Sequence, residues 1–184
     1  MGRRKTAVVA VLAGALLAAA GCGSANEGTA TPTATTDQAA AEEALWDPCQ
    51  ISDDVLVRIG VDPSTEDNTI AGVENVEGWE LCSWKDKPTR SNYTVGAWST
   101  THSLEDIKSD SNNIEYEELS VAGRTGIQFR KSHDEDKSEC YIAFPSGAQT
   151  LEVSAYKSTL TEDVRDSCEI ALSAAEALVP IFPS

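Results

Sequence analysis

The chain has 184 residues, with 30 acidic side chains against 14 basic ones and a formal net charge of −16 at pH 7. So acidic a composition lacks the Lys and Arg that nucleic-acid phosphates demand, and an anionic membrane surface repels it. The folded part is long enough to bury one core and fold alone.

The N-terminal segment comes first. Arg3, Arg4 and Lys5 precede Ala7–Ala20, an uncharged run of 14 residues, and Gly21-Cys22 follows. A bilayer span needs about 20 apolar residues, so the run reads as an export signal rather than a membrane helix. The pattern resembles a bacterial lipoprotein signal, in which residues 1–21 are removed and Cys22 is lipidated. Removal takes Arg3, Arg4 and Lys5 away and leaves 11 basic against 30 acidic side chains, a charge of −19. Two or three acyl chains on Cys22 would hold the protein at the extracytoplasmic face of the cell membrane, since one chain binds only marginally.

Residues 22–44 read as the lipidated Cys followed by a tether. Gly23–Ala44 is rich in Thr, Ala, Gly and Ser, contains Pro32, and has no large apolar residue. Such a segment cannot bury enough surface to offset ordering and is expected to be disordered, with a reach of roughly 25 Å. Its threonines are candidate sites of O-glycosylation, with bare solvated side chains the equal alternative.

A single domain is expected over 45–184. Ser52 as N-cap, Asp53 and Asp54 in a first turn, and apolar Val55, Leu56 and Ile59 predict a helix over Ser52–Ile59. Trp79–Lys85 and Tyr93–Thr100 read as strands around Asp86-Lys87-Pro88-Thr89 turn chemistry, and Asn92-Tyr93-Thr94 as strand rather than glycosylation site. Ser103-Leu104-Glu105-Asp106 is a capping box opening a short helix. Four strands follow, over Tyr116–Val121, Ile127–Arg130, Cys140–Phe144 and Thr150–Tyr156. In the last, Leu151, Val153 and Ala155 share one face and Glu152 and Ser154 the other, which predicts a sheet with one covered face. Gly126 marks an irregularity or a close backbone approach. Thr161–Val179 carries apolar residues at helical spacing, Cys168 among them, and Pro180 closes it. The expected fold is α+β: an antiparallel sheet of about six strands packed with an N-terminal helix, a short helix and a long C-terminal helix.

Apart from Cys22 the chain has Cys49, Cys82, Cys140 and Cys168, an even set in an exported protein, which predicts two disulfides. Four cysteines allow three connectivities. Cys49–Cys82 with Cys140–Cys168 is favoured because each closes a local loop, worth roughly 3–4 kcal/mol. No C-x-x-C is present and the histidines are His102 and His133 alone, so neither a metal nor another cofactor is expected.

Trp46-Asp47-Pro48-Cys49, then Cys82-Ser83-Trp84, then a Cys in a late strand and another in the closing helix together resemble an actinobacterial lipoprotein family, domain of unknown function 3558. The resemblance spans Leu45–Ser184 and implies export and anchoring rather than a reaction. The helix and strand order is also similar to the Mog1/PsbP-like fold, a likeness of architecture that carries no function.

No catalytic set emerges. A serine hydrolase needs a nucleophile, a base and an acid, but G-x-S-x-G is absent, and His102 and His133 sit in polar loops. Carboxylates are plentiful, which says nothing about convergence in a cleft. The acidic run His133–Glu139 lacks the ligand alternation and glycine of a Ca²⁺ loop and reads as a solvated hairpin. The four tryptophans divide between core packing and exposed anchors, with Trp84 expected against a disulfide and Trp98, alternating with Gly96, on a thinly covered face. The chain is expected to be a non-enzymatic binding or interaction module whose partner is an unidentified envelope protein or lipid. The alternative is a carrier or sensor of a hydrophobic envelope ligand, for which a cavity of several hundred Å³ would speak. An envelope hydrolase is the minor alternative.

Overall fold

The computed structural model describes residues 33–70 and 72–184. The expected signal, Cys22 and the tether up to Pro32 lie outside the described residues. None of the described helices is long and apolar enough to cross a membrane.

The architecture is α+β. Six strands, β1 (Trp79–Lys85), β2 (Tyr93–Thr100), β3 (Asn113–Val121), β4 (Arg124–Lys131), β5 (Glu139–Ser146) and β6 (Gln149–Lys157), form one antiparallel sheet in the order β1-β2-β6-β5-β4-β3. It combines a β1–β2 hairpin with a β3–β6 meander, joined where β2 pairs with β6. The first two strands run as expected, and the last four extend one to three residues beyond the alternating segments. Pro145 lies within β5, which has no N–H to give there, but the β4–β5 ladder stops at Ala143.

One face of the sheet carries the main core. Cys82, Trp84, Val95, Ala97, Ile142, Phe144, Leu151, Val153 and Ala155 lie under α2 (Asp53–Arg58) and α4 (Ser167–Leu178). On α4 the stripe Cys168, Ala171, Ala175 and Leu178 is buried against it. The small alanines let the helix backbone come close to β5 and β6. Two disulfides staple this side. Cys49 joins Cys82 with Cα atoms 5.2 Å apart, and Cys140 joins Cys168 at 5.0 Å. The Trp46–Cys49 motif is the device that delivers Cys49: the Asp47 carboxylate accepts the Cys49 N–H, and Pro48 opens a 3₁₀ turn. Trp46 meets Phe182 edge-on at 5.2 Å between ring centroids, closing that end of the core.

Three expectations need correction. The C-terminal half of the tether is not a coil: Thr33–Glu43 forms α1. It has no apolar stripe, and strong helix formers such as Ala39, Ala40, Ala41 and Glu42 carry it. Gln38 Nε2 donates to Glu77 Oε1 at 2.8 Å. The closing helix begins at Ser167, not Thr161. Asp166 and Glu169 form the capping box that starts it, while Arg165 pairs with Asp163 and lies over the Tyr93 ring at 5.2 Å. Val164, within the span expected to be helical, is 96% exposed. Finally, the second face of β6 is not solvated: Glu152 is 4% exposed and Ser154 fully buried.

What covers that second face is the β2–β3 connection. It crosses the sheet from β2 to the far edge and carries α3 (Leu104–Ser109). The expected capping box is present, with Ser103 and Asp106 bonded reciprocally. Ile107 of α3 packs with Ile127, Phe129, Tyr141 and Ala143 in a smaller apolar cluster.

Candidate functional site

Between α3 and the sheet lies a cavity of about 540 Å³. Its floor and walls come from strand positions that share one face. The ladders set Trp98 of β2 opposite Glu152 of β6, and Glu152 opposite Ala143 of β5. One neighbour of Glu152 is therefore a large ring and the other a methyl group, which leaves room above the carboxyl.

Two aromatic walls flank it. On the β1–β2 side Trp79 and Trp98 meet edge-on at 6.0 Å. Gly96, two residues before Trp98, holds no side chain, and a Cβ there would lie 2.6 Å from both Ser154 Oγ and Trp98 Nε1. That gap lets the Trp98 indole fold down and donate to Ser154 Oγ at 2.8 Å. On the other side Phe129 stacks on Tyr141 at 5.3 Å, and Tyr141 meets Tyr156 edge-on at 5.7 Å. The Tyr141 and Tyr156 hydroxyls are hydrogen-bonded at 2.6 Å, and Tyr141 donates to Glu139 Oε2 at 2.9 Å. Burial pushes the Tyr141 hydroxyl far up and that of Tyr156 up to about 12, so both stay neutral phenols.

The polar groups are few. Lys131 Nζ donates to Asn113 Oδ1 at 2.6 Å and sits 4.9 Å above the Tyr141 ring centroid. Asp106 and Asp110 stand on the α3 side, and His102 lies at the rim, 5.7 Å from Trp79. The Ser103 side chain holds the Asp106 carboxyl below its ordinary value, so Asp106 is spent as a helix cap. Glu152 is different. No hydrogen bond to its carboxyl exists among the described residues, and burial pushes it up to about 7 while Lys131 pulls the other way. Among the described residues it is the one buried carboxylate.

The other candidates fall elsewhere. His133 lies on the β4–β5 hairpin, 3.8 Å from Glu139, so the two histidines are not brought to one site. In that hairpin Asp134 accepts hydrogen bonds from the Ser138 and Glu139 N–H groups and the Ser138 hydroxyl. Its oxygens close the loop rather than face a common centre. Cys49, Glu66 and Cys82 cluster within 4.8 Å, but both sulfurs are used in the disulfide, leaving no thiolate for a metal. Trp84 is fully buried with Cys82 in the main core, and Trp98 lies on the second face. A broad polar cleft of about 860 Å³ runs past Lys85, Lys87, Arg90 and Lys157, with Tyr93 and Tyr156 in its wall.

Spacing points to Trp98 but not to Glu152, Tyr141, Tyr156 or Lys131. The signal that could have found them is alternation: Tyr141 and Ala143 share a face, as do Glu152 and Ser154, and a lone Glu among such neighbours marks a special position.

Fold and cavity together define a disulfide-stapled α+β domain with a lined pocket on one sheet face. The family model described as "Protein of unknown function (DUF3558)" matches residues 17–180, and the chain belongs to this family. No curated protein and no solved structure matches it.

Proposed function

We propose that the protein is exported, lipidated at Cys22 and held at the outer face of the cell membrane, where its domain binds a small envelope molecule in the cavity beneath α3. It acts as a carrier or sensor and not as an enzyme. The signal-like Met1–Cys22 segment and the two disulfides support the compartment. The carrier reading is favoured over a protein-interaction module by one observation: the unpartnered Glu152 carboxyl lies in an aromatic-lined cavity of about 540 Å³. Ligand sites have this size and this mixture of apolar wall and sparse polar groups. An isolated buried carboxyl costs folding free energy, a cost that binding a ligand would justify.

Native mass spectrometry of the lipoprotein taken from its own membrane tests this. A small-molecule adduct retained by the wild type and lost from Trp98→Ala supports the carrier. Adduct-free masses for both proteins, each equal to that of its own lipidated chain, argue for a module without a ligand.

A further inference from the structure

The charge of the cavity suggests what it holds. Its lining carries the carboxyls of Asp106, Asp110 and Glu152 against one lysine, Lys131. Asp106 is engaged by Ser103, and the Lys131 ammonium is hydrogen-bonded to Asn113, so Lys131 acts on Glu152 only through space and forms no ion pair or hydrogen bond with it among the described residues. The remaining titratable groups are His102 at the rim and the phenols Tyr141 and Tyr156, the first hydrogen-bonded to Glu139 and both to each other. None donates a hydrogen bond to Glu152.

The same wall already accommodates an ammonium. Lys131 Nζ stands 4.9 Å from the Tyr141 ring centroid and 5.5 Å from that of Phe129. Ring faces attract cations, and the attraction grows when water is excluded. The rings of Trp98, Tyr141 and Tyr156 line the same cavity as the Glu152 carboxyl, and with Lys131 held by Asn113 no cation is in contact with that carboxyl among the described residues.

We propose that the cavity selects a ligand bearing a positively charged amine on an apolar body, with the ammonium held by the Glu152 carboxylate among the rings of Trp98, Tyr141 and Tyr156. This rests on the cavity being a ligand site. A carboxylate ligand is repelled, and a neutral alcohol fills the apolar walls without satisfying Glu152. The ammonium needs the ionised carboxylate, so binding strengthens as pH rises through the range in which Glu152 titrates, near 7. Below that range amine affinity falls by about tenfold per pH unit.

The test is titration of the full lipoprotein in lipid nanodiscs with phenethylamine, phenethyl alcohol and phenylacetate, for wild type and Glu152→Gln. The expected result is at least about a tenfold preference for the amine over the alcohol, no binding of phenylacetate, and loss of both the preference and its pH dependence in Glu152→Gln. Equal binding of amine and alcohol, or a preference that survives in Glu152→Gln, overturns the proposal and leaves the cavity as a ligand site. Absence of binding by all three compounds, with adduct-free wild-type protein from its own membrane, overturns both readings.

Discussion

Trp98 and Glu152 are cross-strand partners on the β2–β6 ladder, so the ring that walls the cavity and the carboxyl at its base are fixed in one register. A slip of one residue between the two strands would turn one of them to the opposite face and take it away from the other. The pairing couples the stability of the sheet to the chemistry of the site, and the consequences below follow from it.

Glu152 makes stability depend on pH. Burial raises its carboxyl from 4.5 to about 7, so between these values the folded state binds more protons than the unfolded one. Its contribution is complete in acid below 4.5 and is lost as pH climbs through 7. The loss amounts to as much as about 3 kcal/mol, since each tenfold change in proton affinity is worth about 1.4 kcal/mol. Glu152→Gln is isosteric and does not titrate. Denaturant melts of both proteins across this range are expected to show the variant gaining on the wild type as pH rises.

Gly96 is reserved for the Trp98 side chain. A methyl group in its place meets Ser154 Oγ and Trp98 Nε1 at 2.6 Å and separates two groups now hydrogen-bonded at 2.8 Å. Gly96→Ala is expected to cost about 1–3 kcal/mol by overpacking and to weaken ligand binding by displacing the indole. Thermal melts and titration read the two effects separately. Gly126 is a second close approach: a Cβ there would lie 2.5 Å from the Ala143 carbonyl oxygen.

Arg130 is the polar staple on the other face of β4. It is 9% exposed and donates to the Lys137 and Glu139 carbonyls, Ser167 Oγ and Asp166 Oδ1, tying the β4–β5 hairpin to the start of α4. Arg130→Ala leaves several buried acceptors unpaired and is expected to cost about 3 kcal/mol. Urea unfolding checks the value, and hydrogen exchange is expected to speed up first at Ser167–Ala171, where the capping Asp166 and Ser167 lose the guanidinium that braces them.

Much of this organisation could be read from residue order. The strand limits of β1 and β2, the capping box at Ser103, the pairing of the four cysteines and the place of Trp98 all rest on local chemistry: alternation, turn residues, caps and short loop closure. The errors have non-local causes. Glu152 and Ser154 look like the wet side of β6 because nothing near them in the chain shows that the β2–β3 connection folds across that face. Thr161–Asp163 resembles a helix start because its acidic residues suit a first turn, but the same chemistry recurs at Asp166 and Glu169, where the capping box closes. The α1 helix escapes periodicity because it has no apolar stripe to repeat.

Anchoring rests on Cys22. Cys22→Ala is expected to release the exported protein from the membrane into the soluble fraction, with the Cys49–Cys82 and Cys140–Cys168 bonds unchanged in non-reducing peptide mapping. Undiminished membrane retention would mean that something other than acyl chains holds it.

The most direct test of the ligand cavity is the set of indole N–H resonances of the four tryptophans, followed by NMR as the small-molecule fraction of the envelope is titrated in. Trp79 and Trp98 line the cavity, Trp84 is buried in the main core, and Trp46 packs on Phe182. The Trp79 and Trp98 signals are expected to move saturably while those of Trp46 and Trp84 stay fixed. Four unmoved signals, or four that move together, would contradict the ligand cavity.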